Sequence, residues 1–122
     1  MLTACYDLAK CPPTFDVVTF LLRAEFERIA RGEESIAIEI LPGPEDGFRR
    51  DPTWPQSIEM RRKMLNAIVL PMCAMLPSAL HVTLYSERPP LAADTFGFND
   101  YSMRFQYFLQ AIGNCRPLRP RF

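Results

Sequence analysis

Residues 35–41, Ser-Ile-Ala-Ile-Glu-Ile-Leu, form a nearly continuous apolar run. A run this short and this rich in isoleucine reads as a strand. A strand that lacks polar alternation suits a parallel sheet covered on both faces. Parallel neighbours must be joined by crossovers, usually helices packed on the sheet. The flanking segments supply them. Residues 2–8, opened by Leu-Thr-Ala-Cys-Tyr, read as a first short strand. Phe15, Val18, Leu22, Phe26 and Ile29 then recur at helical spacing, with Asp16, Arg23, Glu27 and Arg31 on the opposite side. Thr14 fits the N-cap of this helix, Asp16 favours its dipole, and Gly32 fits the residue just past its end.

The second half continues the alternation. Ser57 is placed to cap a helix with Glu59 in its first turn and Lys63 four residues on. Ile58, Leu65, Ile68, Val69, Met72 and Met75 form its apolar stripe, and Pro71 is expected to kink or break it. Residues 80–85 alternate Leu, Val, Leu against His, Thr, Tyr and read as a third strand. After a long connection over 86–99, Asp100 is placed to cap a third helix over 101–112, closed by Gly113-Asn114. The order strand, helix, strand, helix, strand, helix implies an α/β domain. It would have three layers, a short, mostly parallel sheet and a half-Rossmann-like topology. Residues 1–115 are expected to form this single domain, and 116–122 an extended Arg/Pro tail. Three strands make a narrow sheet, so the chain is expected either to dimerise or to continue into further sequence.

Composition narrows the function classes. Hydrophobic residues make up 48% of the 122 and charged residues 23%, close to globular averages. Fourteen basic residues balance fourteen acidic ones, so no overall field draws the chain to nucleic acid or to a membrane surface. No apolar run reaches the roughly 18–20 residues needed to span a bilayer. The twelve prolines, about twice the ordinary frequency, gather in connections and stiffen them. The cysteines, Cys5, Cys11, Cys73 and Cys115, include no CxxC pair, and His81 is the single histidine. That is poor material for a metal site, and none is expected. With no signal peptide, the pattern fits reduced thiols in the cytoplasm, with Cys5 and Cys73 as packing residues.

Open parallel sheets bind ligands at the carboxyl ends of their strands. Here those ends run into three proline-rich connections, over 8–14, 42–56 and 86–99. The second is unusually long for a small domain, and such loops are often functional. It carries Arg49, Arg50 and Trp54, suited to clamping a phosphate or carboxylate and stacking on a ring. The alternative is a surface loop in which Trp54 anchors to the core and the arginines pair with Glu45, Asp46 or Asp51. In the first turn, Lys10 and the amides near Thr14 are candidates to hold an anion at the helix start, against the simpler reading of a capped turn with a solvated lysine. That turn lacks the glycines of a dinucleotide fingerprint, and residues 43–47 are not followed by the Lys-Ser or Lys-Thr of a P-loop. No cofactor is therefore expected. Cys11 lies near a helix N-terminus, which would lower its pKa, but no histidine partner is evident. Arg61-Arg62-Lys63 reads as a solvated helix face.

Three phrases carry a family resemblance. They are residues 6–16 (Tyr-Asp-Leu-Ala-Lys-Cys-Pro-Pro-Thr-Phe-Asp), residues 39–44 (Glu-Ile-Leu-Pro-Gly-Pro) with 47–51 (Gly-Phe-Arg-Arg-Asp), and residues 71–77 (Pro-Met-Cys-Ala-Met-Leu-Pro). Together, over nearly the whole chain, they resemble the amino-terminal part of certain bacterial GT-B-type glycosyltransferase-like proteins. The resemblance implies one of two Rossmann-like domains that face each other across a cleft, this one on the acceptor side. Such a half lacks the nucleotide-sugar domain and would not transfer sugar alone. It would bind a sugar or phosphorylated small molecule, and no catalytic residue is implied. The other reading is a standalone interaction module that dimerises through a sheet edge or an apolar helix face.

Overall fold

The computed structural model describes residues 1–51 and 57–97. Trp54, the helix expected over 101–112 and the Arg/Pro tail lie outside the described residues. Strand β1 (Leu2–Asp7), helix α1 (Asp16–Ala30) and strand β2 (Ile36–Leu41) follow in order. Helix α2 (Ile58–Met64), a π-turn (Leu65–Val69) and helix α3 (Leu70–Met75) lead to β3 (Ala79–Leu84) and a two-residue β4 (Phe96–Gly97). All pairings are parallel, in the order β3-β2-β1-β4. The chain order reverses beside β1, where the doubly wound fold has its switch point. The protein has the small, half-Rossmann-like α/β fold that the sequence implies, with one strand more than expected. β4 lies inside the stretch read as a connection, and a Phe-Gly pair is too short to show alternation.

The core lies between the sheet and its helices. Alternate strand residues Leu2, Ala4 and Tyr6, and Ile36, Ile38 and Ile40, are buried in one cluster with Val17, Phe20 and Leu21 of α1 and with Leu65, Val69 and Cys73. The rings of Tyr6 and Phe20 pack with centroids 5.2 Å apart. The buried Tyr6 hydroxyl donates to the carbonyl of Pro12 at 2.6 Å, so the core also pins the β1–α1 turn. Arg23 of α1 lies over the Phe96 ring at 5.8 Å, and Arg31 donates to the carbonyl of Asp94 at 2.6 Å. The ring contact and the hydrogen bond tie the segment of β4 to α1 and its C-terminal cap.

Helix ends and faces differ in places from the sequence reading. α1 has Phe15 at its N-cap, one residue later than expected, and Phe15 makes no side-chain capping bond. The Thr14 hydroxyl still accepts from the Asp16 amide, at 3.3 Å. The buried stripe of α1 is Val17, Phe20, Leu21 and Ala24, whereas Phe15 and Ile29 are 66% and 60% exposed. Two adjoining apolar stripes share the helical spacing, and only the sheet decides between them. At the other end, Gly32 has φ +69° and its amide donates to Ile29 while the Glu33 amide donates to Arg28. This is the paired-bond helix stop that needs a left-handed residue. Ser57 caps α2 as expected, accepting from the Met60 amide at 3.1 Å. Pro71 does not break the second helix. The turn preceding it widens to a π-turn over Leu65–Val69, which accommodates the proline's missing donor and its bulky ring.

Candidate functional site

At the carboxyl end of β2 the chain turns back in a small hairpin. Gly43 and Gly47 form an antiparallel bridge, as do Glu45 and Phe48. Asp46 and Gly47 take the left-handed conformations of the tip, with φ of 50° and 95°. Gly43 lies so close to the Phe48 carbonyl that a Cβ there would overlap the backbone. Phe48 is buried in the core, so the hairpin is a fixed wall rather than a free loop.

Two buried or half-buried arginines brace that wall. Arg49 donates to the carbonyl of Lys10 at 3.2 Å and to the Asp51 carboxylate at 2.6 Å. Arg61, only 4% exposed, donates to the carbonyl of Arg49 at 3.1 Å and lies 3.9 Å from the Glu45 carboxylate. The expectation of a solvated 61–63 face is thus corrected at Arg61, which the hairpin covers. Arg62 and Lys63 are exposed.

A third arginine closes the rim. Arg88, in the β3–β4 connection, grips Asp7 at the end of β1 with two bonds of 2.8 and 2.7 Å. It also donates to the carbonyl of Pro42 at 2.9 Å. Asp7 further accepts from the Ala9 amide at 2.9 Å. Burial alone would raise the Asp7 pKa, but Arg88, the Ala9 amide and Lys10 outweigh it and hold the carboxyl below the usual range. One arginine therefore joins the carboxyl ends of β1 and β2 to the loop that follows β3.

Two clefts open among these pieces. The larger, about 480 Å³, lies between the hairpin, the second helix and the end of β3. Its floor is apolar, with Leu8, Phe48 and Leu65, and its rim carries Asp46, Arg62 and Asn66. The second, about 460 Å³, lies between the hairpin and the Glu87–Arg88 segment. Pro42, Gly47 and Ser86 line both. Both volumes fall within the roughly 300–1,000 Å³ usual for small-ligand sites.

Of the residues singled out in the sequence, Lys10 is exposed in the first turn and Arg49 reaches its carbonyl, so those two connections do meet. Thr14 bonds back to its own helix, and Arg50 is exposed. None of Lys10, Thr14, Arg49 and Arg50 lines either cleft. The lining residues Arg62, Asn66 and Arg88 carried no sequence signal beyond their place on a polar helix side or after a strand. Cys11 corrects another expectation. Burial, with Asp7 adding to it, pushes its thiol up to about 11, against any lowering at a helix start. Burial likewise carries Cys5 and Cys73 up to about 12. With their pKa values so raised, these three buried thiols are unsuited to nucleophilic work at neutral pH. Among the described residues no group of His, Cys, Asp and Glu is placed to hold a metal ion, and no helix is long and apolar enough to cross a membrane. No protein-family model matches the chain, nor does any curated protein or solved structure.

Proposed function

We propose that this protein is a Rossmann-like binding module, comparable to the acceptor half of a GT-B-type glycosyltransferase-like protein. In this reading it takes a sugar or phosphorylated small molecule and does not transfer sugar alone. The observation that supports it is the pair of adjoining clefts at the carboxyl ends of β1 and β2. Parallel sheets bind ligands on that side, where the loops leave concave space and free backbone groups. Arg62, exposed on the helix beside the larger cleft, gives that side a guanidinium suited to phosphate. Titration with nucleotide-sugars and acceptor glycans, followed by NMR, tests the reading. The amides of Ala9, Gly43, Gly47 and Ser86 should move together and saturate. Shifts confined to other surfaces, or none at millimolar ligand, would remove it.

A second reading, a module that dimerises, draws on a different observation. β3 is a sheet edge, and among the described residues no strand pairs with its outer side. Leu80 and Leu84 on it are exposed. Long apolar edges invite pairing with another chain. Sedimentation equilibrium should then find a concentration-dependent dimer that Leu80→Lys dissolves. A monomer at every concentration sinks this reading.

A further inference from the structure

We propose that the larger cleft is a subsite for an anionic sugar, with Arg62 receiving the phosphate or carboxylate that the sugar carries. The inference rests on the binding-module reading above and narrows it to one ligand class. Over a floor of buried Leu8, Phe48 and Leu65, the accessible apolar surface of Pro42, Leu84 and Tyr85 offers the C–H face of a pyranose a place to lie. Arg62 and Asn66 are four residues apart, so they stand one turn apart along the helix lip of the cleft. Arg62 has no carboxylate partner among the described residues, whereas Arg49 pairs with Asp51 and Arg88 with Asp7. Its neighbour Arg61 is buried against the hairpin. Arg62 is therefore the cleft's available guanidinium, and a guanidinium matches phosphate and carboxylate alike.

The opposite lip is of opposite sign. Asp46 sits at the hairpin tip, fixed there by the left-handed turn that Gly47 continues. A carboxylate in that place repels a second anion and accepts from hydroxyl groups. Asn66 and Ser86 add groups that both donate and accept. A cationic lip, an apolar floor and an anionic lip together favour a polyol ring with a single charged end. They disfavour a free phosphate ion, which leaves the apolar surface uncovered, and a neutral sugar, which leaves Arg62 unused.

The probes are glucose 6-phosphate, glucose and inorganic phosphate, titrated against the full chain and followed by NMR. Glucose 6-phosphate should move the amides of Gly47, Asn66 and Ser86 and saturate. Glucose and inorganic phosphate should each bind at least about tenfold more weakly, as the loss of a charged hydrogen bond or of the ring contact requires. Arg62→Gln, on an exposed helix position, should lower the affinity for glucose 6-phosphate about tenfold and leave that for glucose unchanged. The dispersion of the same spectra reports whether the variant is folded. Arg62→Gln binding glucose 6-phosphate as tightly as the native chain overturns the proposal, as does the absence of shifts at those three amides. Nucleotide-sugars that move Gly43 and Arg88 but leave Asn66 unmoved would overturn this subsite and spare the binding-module reading. Glucose 6-phosphate binding that depends on Arg62, with no response to nucleotide-sugars or acceptor glycans, would support the subsite and count against the glycosyltransferase-like role.

Discussion

The two faces of the sheet are built from alternate residues of the same strands, yet they do different work. Toward the helices, Leu2, Ala4, Tyr6, Ile36, Ile38 and Ile40 are all 2% exposed or less, and the face is sealed by α1 and α3. On the other face stand Thr3, Cys5 and Asp7 of β1, Ala37 and Glu39 of β2, and Thr83 of β3, aligned by the register that pairs Cys5 with Glu39 and Glu39 with Thr83. That face is held by polar bonds. The Glu39 carboxylate accepts from the Cys5 thiol at 3.8 Å and from the Tyr85 hydroxyl at 3.1 Å, and Asp7 holds Arg88. The first face makes the fold. The second carries a line of polar contacts that ends at the rim of the clefts, since Tyr85 lines one and Arg88 the other.

Adjacent residues on β2 offer the sharpest way to break this comparison. Ile38→Ala should cost about 2–5 kcal/mol, the range for removing a buried aliphatic side chain from a packed site. Glu39→Gln keeps the shape and one acceptor for Tyr85, and should cost about 1 kcal/mol or less. Chemical denaturation of both variants measures the difference. Equal costs would mean that the second face is as much a core as the first.

What could be read from the sequence follows the same division between local and distant causes. The parallel strand over 36–41, the Ser57 cap, the Gly32 stop and the exposed Glu59–Lys63 pair, 3.8 Å apart, depend on near neighbours, and all were legible. The choice between the two stripes of α1 depends on the sheet, and the opposite fates of Arg61 and Arg62 depend on the hairpin packed over one of them. The strand-end rule pointed to the connections that hold the clefts but not to their lining. Arg88 lies 81 residues from Asp7, and no spacing links the two. The long connection after β2 reads in the sequence as a loop whose arginines either clamp an anion or pair with Glu45, Asp46 or Asp51, and Arg49 does pair with Asp51. Its first half is instead a hairpin whose order comes from Gly43, Gly47 and a buried Phe48.

An effect of similar size to that of Glu39→Gln is the more specific test of the polar face. Asp7→Asn removes the charge that grips Arg88, while β1 and the core behind it keep their packing. Arg88 is 49% exposed, so water and salt screen the pair, and the loss at neutral pH should be about 1 kcal/mol, smaller in high salt. Its pH dependence has a definite sign. The folded-state pKa of Asp7 is lowered, so its contribution is fully present above the unfolded carboxyl value of about 3.9 and disappears as pH falls through the lower folded value. The stability gap between native protein and Asp7→Asn should therefore stay constant from neutral pH down to about 5 and then close in acid. Arg88→Ala should show the same closing gap, because it removes the same pair from the other side. A gap that persists unchanged into acid would mean that Asp7 acts through shape rather than charge. The electrostatic link between the second face and the rim would then be wrong, even with the fold intact.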